Sequence, residues 1–248
     1  MTSQTVQTSA PALTPGSTSL DTSQRVLLGV LLITAAVLSF LPIAILGPAI
    51  GWPASLRAPA AQQLAAIAAA PAAVALGYAV YLLYSVLILP VMTLLAWRCS
   101  GSLARPMAVM VVAFAAMSAL ARSIGILRWL TAMPAMAQQH AAADPAGKQV
   151  LETIFTTVTT YGGGIGELLG VSLFMALSLG LAMVAAWKQR TLPRWLTAFG
   201  MVSALLLFAL FLPTMGVAVQ VPIAAAATVL AIWMVVAGIQ VCFKPKQV

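Results

Sequence analysis

Residues 195–243 read WLTAFGMVSALLLFALFLPTMGVAVQVPIAAAATVLAIWMVVAGIQVCF, a run of forty-nine residues without one charged side chain. As helix it would extend roughly 74 Å, more than twice the hydrocarbon thickness of a bilayer, about 30 Å. Such a run folds back on itself, and Pro213, Gly216, Gln220 and Pro222 mark the turn between a span at 196–214 and another at 221–243. The same logic works outward along the chain. Charge-free or nearly charge-free runs place further spans at 26–46, 74–97, 107–130 and 163–187. The expected fold class is therefore all-α: a polytopic bundle of six transmembrane helices in a single domain, 25–248, behind a disordered polar tail, 1–24.

Composition agrees. Of 248 residues, 62% are hydrophobic and 6% charged, with a mean hydropathy of +1.05, so sixteen charged side chains cannot coat a soluble surface. The net charge of +8 does not indicate a nucleic-acid partner, because the basic residues are scattered between apolar runs and follow topology instead. Residues 1–24 hold eleven Ser or Thr and no long apolar run, too little to offset ordering entropy. Val26 to Leu46 is too long for a signal-peptide core and reads as an uncleaved first span, kinked at Pro42 and ended by Gly47, Pro48, Gly51, Trp52 and Pro53.

Two segments read as amphipathic helices in the interface. The first sets Leu56, Ala60, Leu64 and Ile67 opposite Arg57, Gln62 and Gln63. The second is capped by Asp144 and Pro145, with a stripe of Val150, Leu151, Ile154, Phe155 and Val158, and it bends into the bilayer at Gly162, Gly163 and Gly164. Residues Thr131 to Gly147 between spans read as a polar loop.

Basic residues fall eight on the side of the termini, Arg25, Arg98, Arg105, Lys188, Arg190, Arg194, Lys244 and Lys246, against Arg57, Lys148, Arg122 and Arg128 on the other. The positive-inside rule then puts both termini in the cytoplasm. Five of the tryptophans, Trp52, Trp97, Trp129, Trp187 and Trp195, sit at expected span ends, while Trp233 is mid-span. Cys99 and Cys242 face the reducing side, where a disulfide is disfavoured.

Charge inside a span is costly enough to mark a functional-site candidate. Arg122 and Glu167 fall at matching depths, which suggests an ion pair between the third and fourth spans. Gly162, Gly166 and Gly170 form a ridge that would let another helix approach closely. The pair reads either as a latch that fixes helix register or as a site where Glu167 takes a proton or cation, or Arg122 an anion. Tyr78, Tyr81 and Tyr84, one side of the second span, could line such a cavity or form an interfacial belt. Arg128 is expected to snorkel to the headgroups. Met133, Met136 and His140 have a spacing that could offer soft ligands to Cu(I), against the plainer reading of a solvated loop histidine.

The residue inventory is unfavourable to several chemistries. A single histidine does not make a bis-His haem or a His-based metal centre. The glycine run has no following Lys-Ser/Thr and is not a nucleotide loop. Neither Ser/His nor Cys/His groups share a depth with an orienting partner. The chain is expected to be no enzyme, and to need no cofactor or metal.

Gly51-Trp52-Pro53 with Leu56, Gly77-Tyr78, Leu89-Pro90, Arg122, and Leu192-Pro193-Arg194-Trp195-Leu196 together resemble an uncharacterised bacterial integral-membrane family, a domain of unknown function, over about 25–243. That resemblance implies a multi-span protein of the bacterial inner membrane and brings no reaction with it. Two roles are expected to compete: a small membrane scaffold or regulatory protein with a structural Arg–Glu pair, or a secondary transporter for a small solute whose six spans divide as three plus three. The expected partner is the lipid bilayer, with a second copy or another membrane protein as a further possibility.

Overall fold

The computed structural model describes residues 20–102 and 105–243. Lys244, Lys246 and the polar tail up to residue 19 lie outside the described residues. Every regular element within them is helical. The first helix, α1 (Thr22–Ile50), opens on a capping box: Asp21 Oδ1 accepts the Gln24 N–H at 2.8 Å and Gln24 Oε1 accepts the Asp21 N–H at 3.1 Å. The helix therefore begins before Val26. It also continues through Pro42 and Pro48, ending where Gly51 takes the left-handed conformation. A membrane helix tolerates such prolines because neighbouring helices compensate the freed backbone groups.

A 3₁₀ turn (Ala54–Arg57) leads to α2 (Ala60–Ala69). Here one expectation is corrected: Gln63 is not on the polar side but buried, with Nε2 donating to the Ala58 carbonyl at 2.8 Å. That bond satisfies the amide and frees it to pack beside Leu64 and Ile67. Next come α3 (Pro71–Ser100) and α4 (Pro106–Leu130), each started by a proline at its first turn.

The stretch expected as a polar loop folds as α5 (Ala132–Ala142). Its Ala, Met and Gln are strong helix formers, and Met133, Met136 and Ala137 are buried under its neighbours. Asp144 caps α6 (Pro145–Gly163) by accepting the Gly147 N–H at 2.8 Å, as its place before Pro145 suggests. The glycine run then makes no break. Gly163 and Gly164 are in the right-handed helical region, and the chain passes through a π-helical segment (Gly164–Phe174) into α7 (Met175–Gln189). Together these form 45 continuous helical residues, Pro145–Gln189.

Helix α8 (Arg194–Ala209) is shorter than the expected span 196–214, and a 3₁₀ turn (Leu212–Met215) and extended chain lead from it to α9 (Ile223–Phe243). Five helical stretches are long and apolar enough to cross a bilayer, so the chain is a multi-pass membrane protein. The 16 residues of α8 extend about 24 Å, short of the usual crossing length.

The long helices pack in a closed ring: α1 on α3, α3 on α4, α4 on α7, α7 on α8, α8 on α9, and α9 back on α1. The start of α1 and the end of α9 meet, with Gly29 against the Gly238 carbonyl. Both therefore belong to one end of the bundle, the termini end. Its apolar core includes Leu32, Ile88, Leu95, Leu179, Met183 and Trp233. The mid-helix indole of Trp233 donates to the Leu196 carbonyl at 3.0 Å, which satisfies the N–H that burial would otherwise strand. At the opposite end, α2, α5 and the first turns of α6 form a cap over a second core, with Leu64, Ile67, Tyr78, Trp129, Met133 and Phe155.

Candidate functional site

Between the two cores lies a cavity of about 40 Å³, room for roughly three waters. It is made by the meeting of α4 with the π segment. Gly125, Gly162 and Gly166 let the two backbones nearly touch: a methyl on Gly125 would lie 2.8 Å from Gly166 Cα and 2.9 Å from the Gly162 carbonyl oxygen. A methyl on Gly170 would lie 2.9 Å from the Arg122 backbone nitrogen, and Ser118 Oγ donates to the Gly170 carbonyl at 2.7 Å. The ridge of Gly162, Gly166 and Gly170 is thus seated on α4 along the face that carries Ser118, Arg122, Gly125 and Arg128.

Arg122 and Glu167 both line the cavity. No ion pair within 4.0 Å joins them, and the one ion pair among the described residues is His140 with Glu152. The reason is directional. Arg122 is level with Gly170, about one turn from Glu167, and side chains lean toward the start of their own helix. The two helices run antiparallel, so Arg122 leans toward the termini end and Glu167 toward the cap. Arg122 accordingly ends with Cζ 5.3 Å from the centre of the Tyr84 ring, while Glu167 is exposed at the cavity mouth, beyond ion-pair distance of both arginines.

Arg128 does not turn outward to headgroups. Its Nη1 donates to the Gly125 carbonyl, its Cζ stands 5.5 Å from the Trp129 ring centre, and its guanidinium lies along Gly162 and Gly163. An accessible carbonyl and an aromatic face on its own helix, with glycines opposite, leave room for this inward rotamer.

Aromatic rings wall the space in two series. Tyr78 stacks on Trp129 at 4.7 Å, and Trp129 meets Phe155 edge-on at 6.3 Å. Trp52 meets Tyr81 at 6.1 Å, and Tyr81 stacks on Tyr84 at 6.1 Å. Tyr78 and Tyr81 line the cavity, whereas Tyr84 lies behind it as the platform for Arg122. Each arginine is therefore held by cation–π contact with one series.

Several polar atoms of the residues that line this space are unpaired. Arg122, only 3% exposed, has a buried Nε with no hydrogen-bond acceptor, and Arg128 Nε and the Tyr78 hydroxyl are also buried without partners. A guanidinium has five N–H donors and no acceptor, so what the site offers is hydrogen-bond donation and positive charge. Away from the cavity, His140 Nε2 lies 2.9 Å from Glu152 Oε1, joining α5 to α6. That corrects the solvated-loop reading, and it turns the histidine to a carboxylate while Met133 and Met136 are buried in the second core.

Arg128, Trp52 and Trp129 were legible as interfacial residues and not as cavity residues. The signal that would have joined them is the spacing Arg122, Gly125, Arg128: a glycine midway between two arginines on one helical face lets a neighbour approach between the two charges.

No curated protein and no solved structure matches the chain. Residues 27–238 match the family described as a domain of unknown function, DUF4386, and the chain belongs to that family.

Proposed function

We propose that this is a six-span protein of the bacterial inner membrane, both termini cytoplasmic, which binds a small anionic solute in the Arg122 cavity as a carrier or ligand-responsive protein and performs no chemistry on it. The observation that carries the reading is Arg122: a cation buried without an acid or an acceptor, facing a space. An uncompensated buried charge costs several kcal/mol, and an anion entering the cavity removes that cost.

The chain has no acid to spare for it. Of its four side-chain carboxylates, Asp21 and Asp144 cap helices, Glu152 meets His140, and Glu167 lies exposed at the cavity mouth, beyond ion-pair distance of Arg122. The place of α8 in the ring beside five longer helical stretches supports counting it as a sixth span. The excess of basic residues on the side of the termini supports their cytoplasmic location. Reporter fusions at Gln189 and Ala143 should read inside and outside, respectively; an outside signal at Gln189 would overturn that topology.

A second reading, the membrane scaffold, is favoured by the glycine ridge, which holds α4 against the π segment without any help from charge. Thermal unfolding of the purified protein in detergent separates the two. A small carboxylate such as propionate, at about 100 times its Kd, should stabilise by about 2.7 kcal/mol, and Arg122→Gln should abolish that stabilisation. A scaffold would show no anion-dependent rise in Tm in either protein.

A further inference from the structure

Resting on that reading, we propose that the site is selective for ligand valence, taking an oxyanion of charge −1, and that Glu167 is the residue that sets this limit. Two guanidiniums and one carboxylate are the charged groups lining the cavity. Both arginines keep their charge at any physiological pH. Neither arginine is within 4.0 Å of the Glu167 carboxylate, and two cations against one carboxylate give the lining one net unit of positive charge.

Among the lining residues, Arg122 Nε and the Tyr78 hydroxyl are buried and unpartnered, and a carboxylate or phosphodiester is an acceptor suited to such donors. A divalent oxyanion would bring two negative charges beside Glu167 into a lining whose net charge is +1. A zwitterion would bring an ammonium group toward Arg122 or Arg128. The volume, about 40 Å³, admits a carboxylate or phosphate group in place of roughly three waters, and the Tyr81 and Trp52 rings beside it suit a short apolar substituent. The shared chemistry is a singly charged oxyanion, whose source is either a free acid or the phosphodiester of an anionic lipid.

Thermal protection of the full-length detergent-solubilised protein tests the assignment, using propionate, sulfate, alanine and dioleoylphosphatidylglycerol as probes. Wild type should be protected by propionate or phosphatidylglycerol at concentrations at least about tenfold below those needed for sulfate or alanine, the ratio that follows from about 1.4 kcal/mol. Protection by propionate identifies a free acid as the source, and protection by phosphatidylglycerol alone identifies a headgroup. Glu167→Gln should retain both and improve sulfate by at least about tenfold, because one repelling charge has gone.

Equal protection of wild type by sulfate and propionate would overturn the valence limit while leaving anion binding intact. Alanine matching propionate would also overturn it. An unchanged sulfate response in Glu167→Gln would remove Glu167 from the role. Absence of protection by every probe, in a protein that still unfolds cooperatively, would overturn anion binding itself.

Discussion

Gly29 of α1 meets α9 much as Gly125 of α4 meets the π segment. In each case a methyl would fall 2.8 Å from a backbone atom opposite, the Gly238 carbonyl oxygen or Gly166 Cα. At that crossing a methyl on Gly29 would meet Cys242 and one on Gly238 would meet the aliphatic parts of Leu32 and Ile33, and the contact closes as apolar packing. Around Gly125 the same close approach sets Arg122 and Arg128 on either side, and side chains that long cannot all fit into the seam. What is left is a cavity with charged walls. Glycine against glycine is thus a packing device whose outcome depends on the residues one turn away.

The most severe way to break this comparison is to add the methyl groups. Gly125→Ala and Gly29→Ala should each destabilise by about 1–3 kcal/mol, the range for overpacking, measured by unfolding in detergent. Only Gly125→Ala should also weaken propionate protection, by at least about tenfold; an equal loss in Gly29→Ala would show that the two crossings do not differ as described. A double-mutant cycle on Arg122→Gln and Glu167→Gln tests the next smaller effect. The coupling energy should stay below about 1 kcal/mol, near the additive regime, and should be smaller than that between Arg128 and Glu167. Coupling of about 3–5 kcal/mol, the scale of a broken buried pair, would restore the latch.

The smallest effect concerns hydroxyls. Ser118→Ala removes the bond to the Gly170 carbonyl, and Ser178→Ala removes a 2.7 Å bond from α7 to the Val111 carbonyl of α4. Each should cost about 0.6 kcal/mol, the mean for interhelical hydrogen bonds in a membrane bundle. Only the first, beside Arg122, should alter the propionate midpoint.

The helices themselves were legible because each long one is an apolar run closed by Gly, Pro or an acid cap, and these signals are local. Gly51 and Gly101 end helices and Asp144 starts one for reasons that need no tertiary information. Helix α5 was hidden because its sequence has almost no amphipathic contrast; burial against the cap and not periodicity holds it. The site was half legible. Depth along a helix follows from counting residues, and it brought Arg122 and Glu167 to the same region. Rotation about the axis and the lean of each side chain do not follow from counting, and those decide that Glu167 lies at the cavity mouth while Arg122 turns to Tyr84. The π segment was not legible at all, since its hydrogen-bond pattern depends on how the glycines seat against α4.

That π segment has a consequence for insertions and deletions. Bonds from i to i+5 take up more residues per turn than α-helical bonds, so residues 164–174 hold surplus chain relative to an α-helix of the same rise. Removing one residue from an ordinary stretch such as α3 rotates everything beyond it by about 100°, sending buried side chains to the lipid. Removing one from the π run can be absorbed by converting a wide turn to a normal one, leaving α7 in phase with α4 and α8. The segment that shapes the cavity is therefore also where the length of this chain is least tightly constrained by the fold beyond it.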